Sequence, residues 1–151
     1  MDKERIKSVY LPAAAAAGGM TLSVLAYGAA AFFLARSGYR PALAGQAAAT
    51  VCYVLYALAA GPLLLIKPLA ARLEAARETP EGTAKGLAAA AIVKAALCEV
   101  PAVSGLLLFL LAGKYGEAFF FMAFSLALGA FNFPKLPEWE EKLGTAAGRV
   151  G

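Results

Sequence analysis

The sequence predicts an all-α polytopic membrane protein whose four transmembrane helices form two antiparallel hairpins. Of its 151 residues, 61% are hydrophobic and only 16% are charged, an apolar share well above that of soluble domains. The apolar residues are gathered into four long segments separated by polar breaks. Because about 20 apolar residues suffice to cross a bilayer as a helix, the whole chain is predicted to be one membrane domain in contact with lipid.

The four spans are defined by the apolar segments between the polar breaks. They cover residues 12–35, 42–66, 86–112 and 118–133. The breaks RSGYRP and GKYGE are short, so each is expected to close a tight hairpin. The middle connection, residues 67–85, is longer and polar. Its first half has helix-forming composition and either extends the second helix or lies on the membrane surface, and Thr79 or Thr83 could cap the third helix.

The distribution of basic residues predicts the orientation. Of the 14 lysine and arginine residues, ten lie in the N-terminus, the 67–85 connection and the C-terminus, three lie in the hairpins, and Lys94 lies inside a span. Cytoplasmic segments carry the excess of positive charge. We therefore expect a multi-pass protein of the cell (inner) membrane, with both termini and the 67–85 connection in the cytoplasm.

Several classes of function are excluded by residues that the sequence lacks. There is no histidine, and Cys52 and Cys98 lie far apart in apolar segments, so neither a metal site nor a cofactor is expected. The basic residues are spread over the polar breaks rather than clustered, which excludes nucleic acid as a partner. No general acid–base pair lies at one depth, so the chain is not expected to be an enzyme.

Small residues indicate where helices approach one another. Ala15, Gly19 and Ser23 follow a small-xxx-small spacing in the first span, which permits close helix packing within the chain or between copies. The fourth span is rich in phenylalanine instead, which favours contact with lipid. This pattern predicts a homo-oligomer or a larger membrane complex.

Glu99 is the acidic residue that lies within a span, and an ionisable group at that depth marks a candidate functional site. Lys94 precedes it by five residues and points about 140° away on an ideal helix. We therefore expect Lys94 to snorkel to the inner membrane edge, the alternative being a buried ion pair.

Pro101 follows Glu99 by two residues and frees the carbonyl oxygen of Leu97 from its helical hydrogen bond. This carbonyl is a candidate ligand for an ion or water beside the acid. The acid itself is expected to bond either to such a carbonyl or to a hydroxyl on another span, such as that of Tyr53 or Ser125.

The stretch ALCEVPAVSGLLLFLLAG, about 18 residues long, resembles the carboxylate-bearing helix of the proteolipid c subunits of rotary ATPases. In both, a membrane acid (Glu99 here) is followed by small and apolar residues and then by Gly-Leu (Gly105 and Leu106 here). The resemblance implies that Glu99 binds a translocated proton or sodium ion, with Pro101 and Gly105 in support. The family's glycine-rich partner helix and its Arg-Gln-Pro or Arg-Asn-Pro turn have no counterpart in this chain.

Three functions follow as hypotheses. The first is a proton- or ion-binding homo-oligomer with Glu99 as the exchanging group. The second is a non-catalytic accessory or assembly subunit of a larger membrane complex, in which Glu99 has a structural hydrogen bond. The third is a small transporter that acts as a dimer, since the proline positions of the second and third spans weakly match the broken helices of transporters.

Overall fold

The protein is described by a computed structural model that covers residues 3–75 and 79–148, and within these ranges it consists of α-helices without strands. The predicted all-α class is therefore confirmed. The helices are α1 (Lys3–Arg36), α2 (Gly45–Glu74), α3 (Pro80–Ala112), α4 (Tyr115–Asn132) and α5 (Leu136–Gly148).

Three to four membrane spans are compatible with the described helices. By length and composition, α1, α2 and α3 can each cross a membrane. The fourth candidate is α4 together with α5, which are bent by 42° at the break between them. With 18 residues, α4 alone measures about 27 Å, close to the thickness of the hydrocarbon core.

The α3 helix lies at the centre of the bundle. It packs against α1, α2 and α4 along its length, and against α5. Although α1 and α2 are consecutive in sequence, they are not close neighbours, so the predicted first hairpin is not a packed pair. The reason is that α3 buries small residues such as Ala90, Ala102 and Gly105 on several faces, which lets other helices approach it from more than one side.

Contacts along the bundle fix the relative directions of the helices. Ile6 near the start of α1 packs in one cluster with Leu87 near the start of α3, so these two helices run parallel. Leu55 in the first half of α2 meets Leu108 near the end of α3, which makes this pair antiparallel. One end of the bundle, here named the α5 end, therefore holds the start of α1, the end of α2, the start of α3 and α5.

The ends of α3 are set by local signals. Of the two predicted caps, Thr79 is the one that caps the helix, because its side chain accepts a hydrogen bond of 3.1 Å from the backbone N–H of Gly82. The helix stops at Gly113, whose φ of 67° lies in the left-handed region that glycine adopts readily. The 67–85 connection is thus shortened from both sides, since α2 continues to Glu74 as an extension of the second span.

The α5 helix was not anticipated from the sequence. Trp139 and Leu143 are buried against the first turns of α1 and α3, and Tyr10 meets the Trp139 ring edge-on at 5.4 Å between centroids. The i, i+4 spacing of these two apolar residues among charged ones is the amphipathic signal that would have indicated it. This helix closes the α5 end of the bundle.

Of the predicted small-residue stripe of α1, only Ser23 contacts another helix within the described chain. Ala15 and Gly19 are exposed, and a Cβ atom added to Gly19 would meet nothing within 4 Å. The face of α1 that is buried carries Ala13, Ala17 and Val24 instead. The packing face is therefore rotated away from Ala15 and Gly19, and contact of these two residues with another chain stays a prediction.

Candidate functional site

Two hydroxyl groups of α1 hold the Glu99 carboxyl group. The Oγ of Ser23 lies 2.5 Å, and the OH of Tyr27 lies 2.6 Å, from the same oxygen, Oε1 of Glu99. Ser23 and Tyr27 are four residues apart and therefore share one face of α1. Since Glu99 is only half-buried in the chain, these two bonds tie an otherwise accessible carboxyl group to a neighbouring helix.

The hydrogen bonds of Ser23 can satisfy Glu99 in either protonation state. The Ser23 Oγ also lies 2.6 Å from the carbonyl oxygen of Met20, but a hydroxyl has one proton to donate. When Glu99 is ionised, Ser23 and Tyr27 both donate to Oε1. When Oε1 carries a proton, it donates to Ser23, Ser23 donates to the Met20 carbonyl, and Tyr27 still donates to Oε1. The site thus loses no hydrogen-bonded partner of Oε1 when the proton comes or goes.

The face of α3 that carries Glu99 lies open between α1 and α2. On this face the residues above and below Glu99 at helical spacing are exposed, namely Ile92, Ala96, Val103 and Leu107. A groove of about 230 Å³ runs along it. Leu55 and Leu58 of α2 form the opposite wall, and Glu99 itself lines the groove. The carboxyl group is therefore reached from the side of the bundle, through apolar surroundings.

Lys94 is directed away from Glu99 and toward the α5 end. Its amino group pairs with the carboxylate of Glu74 at the end of α2, and Glu74 also pairs with Lys142 of α5. Lys94 therefore reaches the end of the bundle and forms a partly buried ion pair there, while its position relative to the membrane edge stays a prediction. Within the described residues Glu99 forms no ion pair.

The polar groups near Pro101 serve the contact between α3 and α4. Pro101 is fully buried, and the Ser125 hydroxyl of α4 donates to the carbonyl of Cys98, the residue after Leu97. Ser125 therefore does not bond to Glu99, and Tyr53, the other expected partner, is 73% exposed. The partners of Glu99 come from α1, because α1 rather than α2 presents hydroxyl groups at that level.

Gly105 allows α3 and α4 to touch. A Cβ atom at this position would lie 2.8 Å from the carbonyl oxygen of Ala118 and 3.0 Å from Cβ of Phe121. Gly105 thus belongs to the α3–α4 contact and does not bond to Glu99.

A second carboxyl group is bound by a tyrosine near the other end of the bundle. Tyr56 of α2 donates a hydrogen bond to Glu117 of α4, and Lys114 lies 3.3 Å from the same carboxylate. The predicted fourth span, residues 118–133, begins one residue after Glu117, so this acid was not among the predicted site residues. The sequence signals for both sites are tyrosines within apolar helices, Tyr27 and Tyr56, whose hydroxyl groups need a partner when buried.

No family model, curated protein or solved structure matches the chain. The local resemblance of residues 96–113 to the rotary ATPase proteolipids therefore stays a prediction. Among the described residues there is also no group of three or more histidine, cysteine or acidic side chains that could hold a metal ion. Fold and site together define a small helical bundle with three to four helices apolar enough to cross a membrane and a hydroxyl-bonded carboxyl group between α1 and α3.

Proposed function

We propose that this protein takes up and releases a proton at Glu99 within the membrane. The observation that carries the proposal is the hydrogen bonding of Oε1, which Ser23, Tyr27 and the Met20 carbonyl can satisfy with or without a proton on the acid. A purely structural carboxyl group needs one bonding arrangement. A carboxyl group that exchanges a proton needs two of similar energy, since an unsatisfied polar group at this depth costs several kcal/mol.

The resemblance of residues 96–113 to the proteolipid helix supports the same role for Glu99. We extend it no further than the acid, because α4 packs on α3 at Gly105, and the family's glycine-rich partner helix is missing. The protein acts as a homo-oligomer in this proposal. The exposed Ala15 and Gly19 leave one side of α1 free for close contact with a second copy.

The proposed orientation puts the α5 end in the cytoplasm. Reporter fusions after Gly151 and between Ser37 and Arg40 test it. The first position belongs to the segments rich in lysine and arginine, and the second lies in a hairpin with few of them. The first fusion is expected to read cytoplasmic and the second external. An external reading after Gly151 would contradict the four-span orientation.

Infrared difference spectroscopy between two pH values tests proton exchange directly on the purified protein in lipid. We expect a carboxylic-acid band that weakens as the pH rises and is absent in Glu99→Gln, which keeps the shape and hydrogen bonding of the side chain but cannot exchange a proton. Glu117→Gln is the matched control, since it makes the same change at the other tyrosine-bonded carboxyl group and should keep the band.

A hydrophobic carbodiimide gives an independent measurement, because it reacts with protonated carboxyl groups in apolar surroundings. Labelling at Glu99, located by peptide mass spectrometry, should fall as the pH rises. The proposal would be wrong if Glu99 is unlabelled at every pH and the infrared band is the same in wild type and Glu99→Gln.

The second candidate function is that of an accessory or assembly subunit. It is favoured by the exposed Ala15 and Gly19 of α1, which suit a foreign helix as well as a second copy. In that case Glu99 is structural, so Glu99→Gln should be tolerated in every respect. Glu99→Leu should destabilise the bundle by about 1–3 kcal/mol, because the hydroxyl groups of Ser23 and Tyr27 lose their acceptor.

A further inference from the structure

The groove beside Glu99 combines apolar walls with one acid that forms no ion pair with the described residues. Leu55 and Leu58 face Val103 and Leu107 across it, and Glu99 lies between them in the lining. Only Oε1 of the acid has a hydrogen-bond partner among the described residues. Oε2 is therefore left for whatever enters the groove.

No positive charge of the described chain balances Glu99. Lys94, the nearest basic residue in sequence, is paired with Glu74 at the α5 end. The titratable group that faces Glu99 from α1 is Tyr27, and α2 presents only leucines to the groove. In apolar surroundings a carboxyl group is either protonated or, when it is ionised, needs an opposite charge beside it.

We propose that the groove binds a lipophilic monovalent cation, an organic molecule with a positive centre and an apolar body, in exchange for the proton on Glu99. This inference rests on the proposed function, since it names the ligand that replaces the proton. The carboxylate meets the positive centre, and the leucine and valine side chains meet the body. Electroneutrality at the site is kept, because one proton leaves for each cation that binds.

The dimensions of the groove suit a ligand that is only partly enclosed. Its volume of about 230 Å³ is below that of a pocket that encloses a drug-sized molecule. Because α1 and α2 are not close neighbours, the groove is open on its lateral side, and the remainder of the ligand can stay in the lipid. A lipid acyl chain would fit the walls equally well, but it would leave the carboxylate without an opposite charge.

Isothermal titration calorimetry of the purified protein in mild detergent tests the proposal, with tetraphenylphosphonium as the probe. Tetraphenylborate is the control ligand, because it has the same shape and the opposite charge. We expect saturable binding of the cation, no competition by the anion, and an affinity that rises with pH by at most tenfold per unit, as required when one proton and one cation compete for a single group.

Three variants locate the site. Glu99→Gln should weaken binding of the cation about 10- to 100-fold, as expected for loss of one charge-assisted contact. Ala96→Leu adds bulk one turn from Glu99 on the exposed face, so it should weaken binding and keep the infrared band of the protonated acid. Glu117→Gln should change neither the binding of the cation nor the infrared band of Glu99.

The outcomes separate this inference from the proposed function. If the pH-dependent band of Glu99 is present but tetraphenylphosphonium neither binds nor protects Glu99 from carbodiimide, the inference is wrong and proton exchange stands. If wild type and Glu99→Gln bind the cation equally, the binding is partition into detergent or lipid, and the inference is again wrong. If the band and the labelling are absent as well, both proposals fail.

Discussion

Replacement of Gly105 by alanine tests the central packing of the bundle. The added methyl group would lie 2.8 Å from the Ala118 carbonyl oxygen, 3.0 Å from Cβ of Phe121 and 3.3 Å from Cα of Ala118. Two of these three atoms belong to the backbone, so the clash cannot be relieved by rotation of a side chain. The α3 and α4 helices must separate by several tenths of an ångström, and we expect a loss of about 1–3 kcal/mol in the free energy of unfolding.

Gly61→Ala is the matched control, because Gly61 also lies inside a helix but a Cβ atom there meets nothing within 4 Å. In this variant the better helix propensity of alanine should raise stability by up to about 1 kcal/mol. Thermal or denaturant unfolding in one detergent measures both variants. Equal effects of the two substitutions, or a stabilised Gly105→Ala, would refute the close approach of α3 and α4.

Three further predictions concern other parts of the chain. Gly19→Leu should not destabilise the single chain, since a Cβ atom there meets nothing within 4 Å, but it should reduce the particle mass measured by light scattering if Ala15 and Gly19 join two copies. Glu74→Gln should lower the free energy of unfolding by about 1.5–3 kcal/mol, the range for hydrogen bonds to charged groups, and shift the fluorescence of Trp139 to the red as α5 loosens. Glu138→Gln is the control: because Glu138 is exposed, its replacement should change neither the free energy of unfolding nor the fluorescence of Trp139. Thr79→Ala should lower the free energy of unfolding by about 1 kcal/mol through loss of the helix cap, and an unchanged value would show that the cap contributes nothing.

The helical class, the apolar segments and their approximate boundaries were predictable, because span length and hydropathy are local properties of the sequence. The neighbours of each helix were not. The short connection between α1 and α2 predicted a packed hairpin, yet both helices lie on α3. Which helix becomes central depends on the small residues it offers on several faces, and the alanine-rich segments of α1 and α3 both qualified by composition.

The acid of the candidate site was predictable, and its partners were not. Glu99 stands out as an ionisable residue within an apolar span. Its partners depend on which face of α1 meets α3, and the rotation set by Ala13 and Ala17 brings Ser23 and Tyr27 to the acid. Ser23 was identified only as a packing residue. Tyr27 could have been found from its i, i+4 relation to Ser23, which places two hydroxyl groups on one face of an apolar helix.

The position of Glu99 links its protonation to the position of α1. The acid belongs to α3, which is held closely against α4 at Gly105, whereas both hydroxyl groups that bond to it belong to α1. A ligand that enters from the side of α2 can reach the acid without separating α3 from α4. Movement of α1 away from α3, in contrast, would break both hydrogen bonds to Oε1. By thermodynamic reciprocity, the protonation of Glu99 and the position of α1 are coupled only to the extent that the bonds from Ser23 and Tyr27 differ in energy between the two protonation states.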